Sequence, residues 1–148
     1  MSKAIFTGTF DPFTIGHASI VERGLKMFDE ITIGVAVSKL KHTESEVARR
    51  VEAIKSVYQG ETRVSVVAYS DLTVDFAHRE HATCILRGVR SVKDFEYERE
   101  QADINRQLSG IETVLLFAEP QLASVSSTLV RELKFFGRDV TEFLPKTK

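Results

Sequence analysis

The sequence has little of what stabilises small secreted proteins, zinc proteins and membrane proteins. Its single cysteine, Cys84, excludes an intramolecular disulfide and leaves too few thiols for a structural zinc site. No apolar run approaches the ~20 residues that a membrane-spanning helix needs. The first residues also lack the hydrophobic region of a secretory signal peptide. We therefore expect a soluble cytoplasmic protein.

An excess of charge of either sign is also missing. The sequence has 20 Lys and Arg residues against 21 Asp and Glu residues, a formal net charge of −1. Bulk electrostatic attraction to nucleic acid or to a membrane surface is therefore not expected. The 148 residues contain no repeat, low-complexity tract or linker, and this length is typical of one domain. We predict a single domain without a nucleic-acid or membrane partner.

Five short apolar runs alternate with longer segments of helical periodicity. The predicted strands are Ala4–Phe6, Ile31–Val37, Arg63–Tyr69, Thr83–Leu86 and Thr113–Phe117. The predicted helices follow His17, span Val47 to Tyr58, begin near Asp71, and cover Ser91–Leu108 and Ser126–Phe136. This alternation predicts an α/β protein, a single doubly wound (Rossmann-like) domain with a five-stranded parallel sheet. Ligands of such sheets bind beyond the carboxyl ends of the strands.

The first strand leads into "GTFDPFTIGH", which runs from Gly8 to His17. Gly8 permits a close backbone approach, and Pro12 fixes the backbone in the turn. The N–H groups at the start of the next helix suit a phosphate, and His17 would point toward the same place. A capped turn with a packed histidine is the alternative. The spacing matches neither Gly-x-Gly-x-x-Gly nor the P-loop motif.

Other predicted strand ends carry groups that bind anions. Lys39, Lys41 and His42 follow the second strand, where a solvated loop is the alternative. Arg87 and Arg90 follow the fourth strand, close enough in sequence to reach one anion together. Three hydroxyl residues, 126–128, precede the last helix, where simple N-capping is the alternative. No acid–base pair is evident, which favours phosphoryl or nucleotidyl transfer by positioning and charge stabilisation.

Two of these segments resemble signatures of the nucleotidyltransferase superfamily. Thr14–His17 is a Thr-x-Gly-His form of the His-x-Gly-His signature, and Ser126–Arg131 resembles the second, Ser-Ser-x-x-x-Arg-like signature. Together with "RGVRSVKDFEYE" and "DVTEFLP", they resemble the bacterial phosphopantetheine adenylyltransferase family over essentially the whole chain. The resemblance implies one nucleotidyltransferase domain over residues 1–148. It also implies transfer of AMP from ATP to 4′-phosphopantetheine, with Mg²⁺ on the phosphates, in a homo-oligomer that is typically hexameric.

The resemblance also implies roles for individual residues. His17 and Lys41 would be catalytic, with Lys39 as an alternative for the role of Lys41. The acceptor substrate would contact Thr9, Lys41, Thr73 and Arg87. ATP would contact Thr9, Phe10, His17, Gly88, Val89, Arg90, Glu98, Leu122, Ala123, Ser124, Val125, Ser126, Ser127 and Thr128. No residue is assigned as a metal ligand.

Two other functions fit parts of the same pattern. One is another nucleotidyltransferase, such as a nicotinamide mononucleotide adenylyltransferase or a glycerol-phosphate cytidylyltransferase, which shares the Gly-His and Ser-Ser elements. The other is a noncatalytic nucleotide-binding module, because a fold alone does not imply a function. A module of that kind would keep its affinity for ATP without His17 and would release no pyrophosphate.

Overall fold

The fold alternates strands and helices, as the sequence predicts. The computed structural model describes residues 2–37 and 44–147. The strands are β1 Lys3–Gly8, β2 Glu30–Ala36, β3 Val64–Tyr69, β4 Cys84–Val89 and β5 Glu112–Phe117. The helices are α1 Ile15–Gly24, α2 Glu44–Val57, α3 Thr73–Arg79, α4 Val92–Ser109 and α5 Ser127–Phe135, with short 3₁₀ turns at Pro120–Leu122 and Thr141–Phe143. Within the described ranges, no helix is long and apolar enough to cross a membrane.

All five strands lie in one parallel sheet, in the order β3-β2-β1-β4-β5. The predicted α/β fold with a five-stranded parallel sheet is therefore confirmed. The strand order reverses between β1 and β4, which is where a doubly wound sheet opens a crevice for ligands. The carboxyl ends of these two strands place Thr9 and Arg90 on either side of that crevice.

The fourth strand is longer than predicted. It continues past Leu86 to Val89, and Arg87 pairs in register with Leu115 of β5. The prediction that Arg87 and Gly88 follow the strand is therefore wrong, because both belong to it. A charged residue is accommodated there because its guanidinium group has hydrogen-bond partners on β1 and α4.

Apolar residues cover both faces of the sheet. Phe6, Ile33 and Leu86 belong to one buried cluster, whereas Ile5 and Ile85 belong to another with Phe76 of α3. Neighbouring residues of one strand thus enter opposite clusters, as the pleat requires. Burial of each such side chain contributes roughly 1.5–3 kcal/mol relative to exposure, so this two-sided core holds the strand ends in place.

A glycine in β2 allows two aromatic rings to lie flat on the sheet. A Cβ atom at Gly34 would lie 2.4 Å from Cε2 of Phe76 and 3.1 Å from Cε1 of Tyr69. The two rings stack with centroids 4.4 Å apart, and the Tyr69 hydroxyl lies 3.1 Å from the Thr73 hydroxyl. Because Gly34 has no side chain, the two rings can stack there, and this stacking sets the position of the first turn of α3.

We expect Gly34→Ala to lower the free energy of unfolding by about 1–3 kcal/mol, because the new methyl group overpacks a filled core. Urea denaturation followed by circular dichroism measures the change. An unchanged midpoint would contradict the prediction, since it would mean that the Phe76 ring moves aside without loss of packing.

Candidate functional site

A cavity of about 380 Å³ opens where β1 and β4 end, and we call it the central cavity. Most of the residues predicted to bind the nucleotide line it. They are Thr9, Phe10, His17, Gly88, Val89, Arg90, Glu98, Leu122, Val125, Ser126, Ser127 and Thr128, and Arg87, which is predicted to contact the acceptor substrate, lines the same cavity. The strand-order reversal therefore brings together side chains that lie more than 100 residues apart in the chain.

A second cavity, of about 330 Å³, adjoins the first, and we call it the side cavity. Thr73, predicted to contact the acceptor substrate, lines this cavity and not the central one. Both cavities are lined by Thr7, Gly8, Thr9, Arg87, Tyr97 and Glu98. We call these six residues the shared wall. Ligands bound in the two cavities would meet there.

Three predicted site residues have a different status. Ala123 and Ser124 do not belong to the lining of either cavity. Lys41 lies outside the described residues, as does its alternative Lys39. The predicted roles of the two lysines remain predictions from the sequence.

Hydrogen bonds at the start of α1 fix the orientation of the His17 ring. Thr14 is the N-cap, and its side-chain oxygen accepts from the backbone N–H of His17. The backbone N–H of Thr14 in turn donates to Nδ1 of His17 over 2.9 Å. Because Nδ1 accepts this bond, the proton of the neutral ring is on Nε2. His17 therefore presents an N–H donor on the side of the ring opposite to Thr14.

The surroundings of His17 keep the ring neutral. Burial, together with the positive charges of Arg90 and Arg87, lowers the pKa of His17 to about 4 from a usual value of 6.5. The rings of Phe10 and Phe13 pack on the imidazole with centroids 5.0 and 5.4 Å away. At neutral pH the group therefore acts as a hydrogen-bond donor without carrying a charge.

We expect this lowered pKa to make stability depend on pH. As the pH falls below 6.5, the unfolded state binds a proton at His17 before the folded state does, so stability is lost between about pH 6.5 and 4. At pH 4.5 the loss relative to pH 7 is expected to be about 2 kcal/mol greater in the wild type than in His17→Gln. Urea denaturation of both proteins at both pH values measures the difference, and equal losses would contradict the prediction.

Arg87 connects three elements around the shared wall. Its Nε and Nη2 atoms donate to the two carboxylate oxygens of Glu98 over 2.9 and 2.8 Å, and its Nη1 atom donates to the carbonyl of Thr7. Burial opposes the charge of Arg87, but the hydrogen bonds and charge of Glu98 outweigh it and raise the pKa of Arg87. The guanidinium group is thus already bound on three sides, which differs from the prediction of an arginine free to share one anion with Arg90.

We expect Glu98→Ala to destabilise the protein by about 3 kcal/mol, because it leaves the Arg87 charge in a half-buried position without its partner. Glu100→Ala, on the exposed face of the same helix, is the matched control and should have little effect. Denaturation by urea measures both variants. Equal stabilities of the two variants would contradict the structural role given to Glu98.

Within the part of the chain that the structure describes, the Arg90 side chain has one ionic partner, whereas Arg87 is bound on three sides. The Nε atom of Arg90 lies 3.5 Å from the carboxylate of Asp94, four residues later, and its side chain is 43% exposed. A loosely paired, exposed guanidinium group can turn toward an anion at little cost. Of the two arginines, Arg90 is therefore the one available to a phosphate in the central cavity.

The three hydroxyl groups at the start of α5 all have partners within the protein. Ser126 caps the helix by accepting from the Leu129 N–H over 3.0 Å, and Ser127 donates to the carbonyl of Pro12 over 2.7 Å. Thr128 accepts from Nη2 of Arg131. The first N–H groups of a helix have no intrahelical partners, so the backbone at the start of α5, more than these hydroxyls, is suited to bind phosphate oxygens.

A group of lining residues on α4 is missing from the sequence prediction. Asp94, Tyr97, Gln101 and Asn105 line the two cavities from one face of this helix. Their spacing of three or four residues is that of one helical face, which is the signal that could have identified them. Arg99 and Asp103, on the exposed face of the same helix, form an ion pair at 3.6 Å.

The carboxylates of the central cavity are not arranged as a metal centre. Asp94 pairs with Arg90, and Glu98 pairs with Arg87. Within residues 2–37 and 44–147, no group of three or more His, Cys, Asp or Glu side chains could hold a metal ion. Mg²⁺ prefers a few carboxylates plus substrate phosphates and water, so a magnesium ion here would be carried mainly by a phosphate-bearing ligand.

Comparisons with known proteins show which family this chain resembles. A family model described as cytidylyltransferase-like matches residues 5–133. Proteins named phosphopantetheine adenylyltransferase in Bacteroides thetaiotaomicron and Phocaeicola vulgatus are 53% and 56% identical over 146 residues, 99% of this chain and 97% of each relative. Among solved structures, a bifunctional NMN adenylyltransferase/ADP ribose pyrophosphatase from Francisella tularensis aligns with a TM-score of 0.71 at 14% identity, over 99% of this chain and 45% of that one. At that identity, the structural likeness supports the fold alone.

Proposed function

The chain belongs to the phosphopantetheine adenylyltransferase family of nucleotidyltransferases, and we propose that it transfers AMP from ATP to 4′-phosphopantetheine, giving dephospho-coenzyme A and pyrophosphate. The observation that carries the proposal is a neutral, oriented His17 N–H donor in the central cavity, which shares six lining residues with the side cavity. A transfer between two bound substrates requires that arrangement, because their reacting groups must meet in line.

The reaction needs no protein base. The second pKa of a phosphate monoester is about 6, so the acceptor phosphate is largely dianionic at neutral pH. One of its oxygens attacks the α-phosphorus of ATP and forms the new P–O bond. The bond from the α-phosphorus to the bridging oxygen breaks, and pyrophosphate leaves with that electron pair. The protein has to align these atoms and stabilise the charge that builds up on the α-phosphate oxygens.

The central cavity is the proposed ATP site. His17 donates its Nε2–H to an α-phosphate oxygen, and the start of α5 receives the departing phosphates. Phe10, Gly88, Val89, Arg90 and Glu98 contribute to the nucleotide side, as do residues 122–128. Arg90 supplies a guanidinium group that is free to turn toward the phosphates.

The side cavity is the proposed site for the pantetheine arm. Thr73 lies on its wall, and Thr9 and Arg87 lie where the two cavities join. Lys41 is the proposed cationic partner of the acceptor phosphate, by family resemblance. The hydroxyl groups of Thr73 and Tyr69 are hydrogen-bonded to each other, and this pair forms a small polar surface on that wall.

Three further properties are inferred from the family resemblance. Mg²⁺ would supply charge neutralisation and would be carried mainly by the ATP phosphates, because Asp94 and Glu98 in the central cavity are paired with Arg90 and Arg87. The protein would assemble as a homo-oligomer, typically a hexamer. It would work in the cytoplasm.

We expect pyrophosphate release from ATP and Mg²⁺ to require 4′-phosphopantetheine. In His17→Ala, kcat should fall by about 10²–10³-fold, the usual effect of losing one donor to the transition state, while ATP affinity changes little. A coupled pyrophosphate assay measures the rate, and calorimetric titration measures ATP binding. His78→Ala, an exposed histidine on α3, is the control.

The same assay distinguishes the alternatives. Release with nicotinamide mononucleotide and not with phosphopantetheine would replace the proposed acceptor. ATP binding without release, with any acceptor offered, would favour a noncatalytic module. Full activity in His17→Ala would remove His17 from the chemistry.

A further inference from the structure

Side chains from two helices converge on the turn between β1 and α1. Nη1 of Arg131, on α5, donates to the carbonyl of Asp11 over 2.6 Å. Nη2 of Arg50, on α2, lies 3.3 Å from the Asp11 carboxylate. Ser127 donates to the next carbonyl, that of Pro12, over 2.7 Å. The turn at Asp11 and Pro12 is therefore bound to both helices.

Burial makes the positive charge of Arg50 unfavourable in this position unless a carboxylate pairs with it. Its side chain is only 11% exposed, and its Nη1 atom is buried with no hydrogen-bond partner among residues 2–37 and 44–147. A buried cation costs several kcal/mol unless it is well paired. Glu46, on the same helix, lies 3.9 Å away, so Asp11 is the nearer carboxylate and the one that connects Arg50 to the turn.

The turn carries the aromatic residues that hold His17. Phe10 precedes Asp11, and Phe13 follows Pro12; both rings pack directly on the imidazole. Phe10 has a φ of 49°, in the left-handed region that a bulky residue rarely adopts. Such a conformation persists only where neighbouring contacts enforce it. The bonds to Asp11 and Pro12 are contacts of that kind.

We propose that Asp11 is a positioning residue for His17. By pairing with Arg50 and by presenting its carbonyl to Arg131, it fixes the turn whose flanking rings, Phe10 and Phe13, hold the imidazole in place. Asp11 is not part of the lining of the central cavity and does not contact the reacting groups. The kinetic consequence rests on the proposed function, whereas the effect on His17 does not.

The test compares Asp11→Asn and Arg50→Gln with the wild type. Asp11→Asn keeps the size of the side chain and removes the negative charge, whereas Arg50→Gln shortens the side chain and removes the positive charge. We expect kcat to fall by about 10- to 100-fold in each, because a small displacement of a catalytic group has effects of that size, with little change in KM for ATP. The double variant should lose little more than Asp11→Asn, since that variant already breaks the pair with Arg50 as well as the longer one, of 4.0 Å, between the Asp11 carboxylate and Arg131. Arg50→Lys should recover part of the loss.

A second readout follows the His17 ring directly. In the wild type the pKa of His17 is about 4, and the charged groups that lower it are Arg87 and Arg90. If the turn loosens and water reaches the imidazole, the pKa should rise toward 6.5 in Asp11→Asn and in Arg50→Gln. NMR titration of the histidine ring nitrogens measures it. Arg49→Gln, an exposed neighbour on α2, is the matched control and should leave both pKa and kcat unchanged.

An unchanged pKa of His17 in both variants would overturn the proposal, and so would an equal loss of kcat in Arg49→Gln. A loss of ATP affinity in proportion to kcat would also overturn it, because it would show a general defect of the site. If the wild type releases no pyrophosphate with phosphopantetheine, the proposed function fails. The NMR comparison then still decides whether Asp11 positions His17.

Discussion

The interaction on which the site most depends is the three-sided binding of the Arg87 guanidinium group. Arg87 lies on β4, its carboxylate partner Glu98 lies on α4, and the carbonyl that it binds belongs to Thr7 near the end of β1. These elements meet at the point where the strand order reverses. Because Arg87 and Glu98 line both cavities, their ion pair lies at the boundary between them. An arginine suits this task because its planar fork can bind a carboxylate with two nitrogens and keep a third for another acceptor.

The chemistry of the site depends on placement more than on acid–base strength. A dianionic phosphate is already a nucleophile, so the protein gains nothing from a general base. It gains from a donor that is held at a fixed angle, and the Thr14 N–H provides that by binding the other nitrogen of the His17 ring. A neutral imidazole also avoids a fixed charge beside Arg87 and Arg90 in the free protein. Neighbouring polar side chains also bind one another, and the backbone N–H groups are thereby left for the ligand.

Much of this site could be predicted from the sequence, and the exceptions have a physical pattern. Apolar runs of strand length predicted the sheet, and the rule for parallel sheets predicted where ligands bind. The motifs predicted His17 and the start of α5, because local spacing determines where a helix begins. What local patterns cannot provide is the partner of a polar side chain: Arg87 binds Thr7 from 80 residues away, and Ser127 binds Pro12 from 115 residues away. Strand β4 was predicted too short for the same reason, since the acceptors that allow a charged residue within it lie on other elements.

The stacked rings above Gly34 have a consequence for how substitutions would act on this protein. Phe76 is fully buried and touches neither cavity, yet it supports Tyr69, whose hydroxyl group meets Thr73 on the wall of the side cavity. The shape of that wall therefore depends on buried residues that a bound ligand does not contact. Substitutions confined to the cavity lining would therefore leave out Gly34 and Phe76, which support that wall. Combined substitutions of Gly34 and Phe76 would change the shape of the wall while every lining residue is retained.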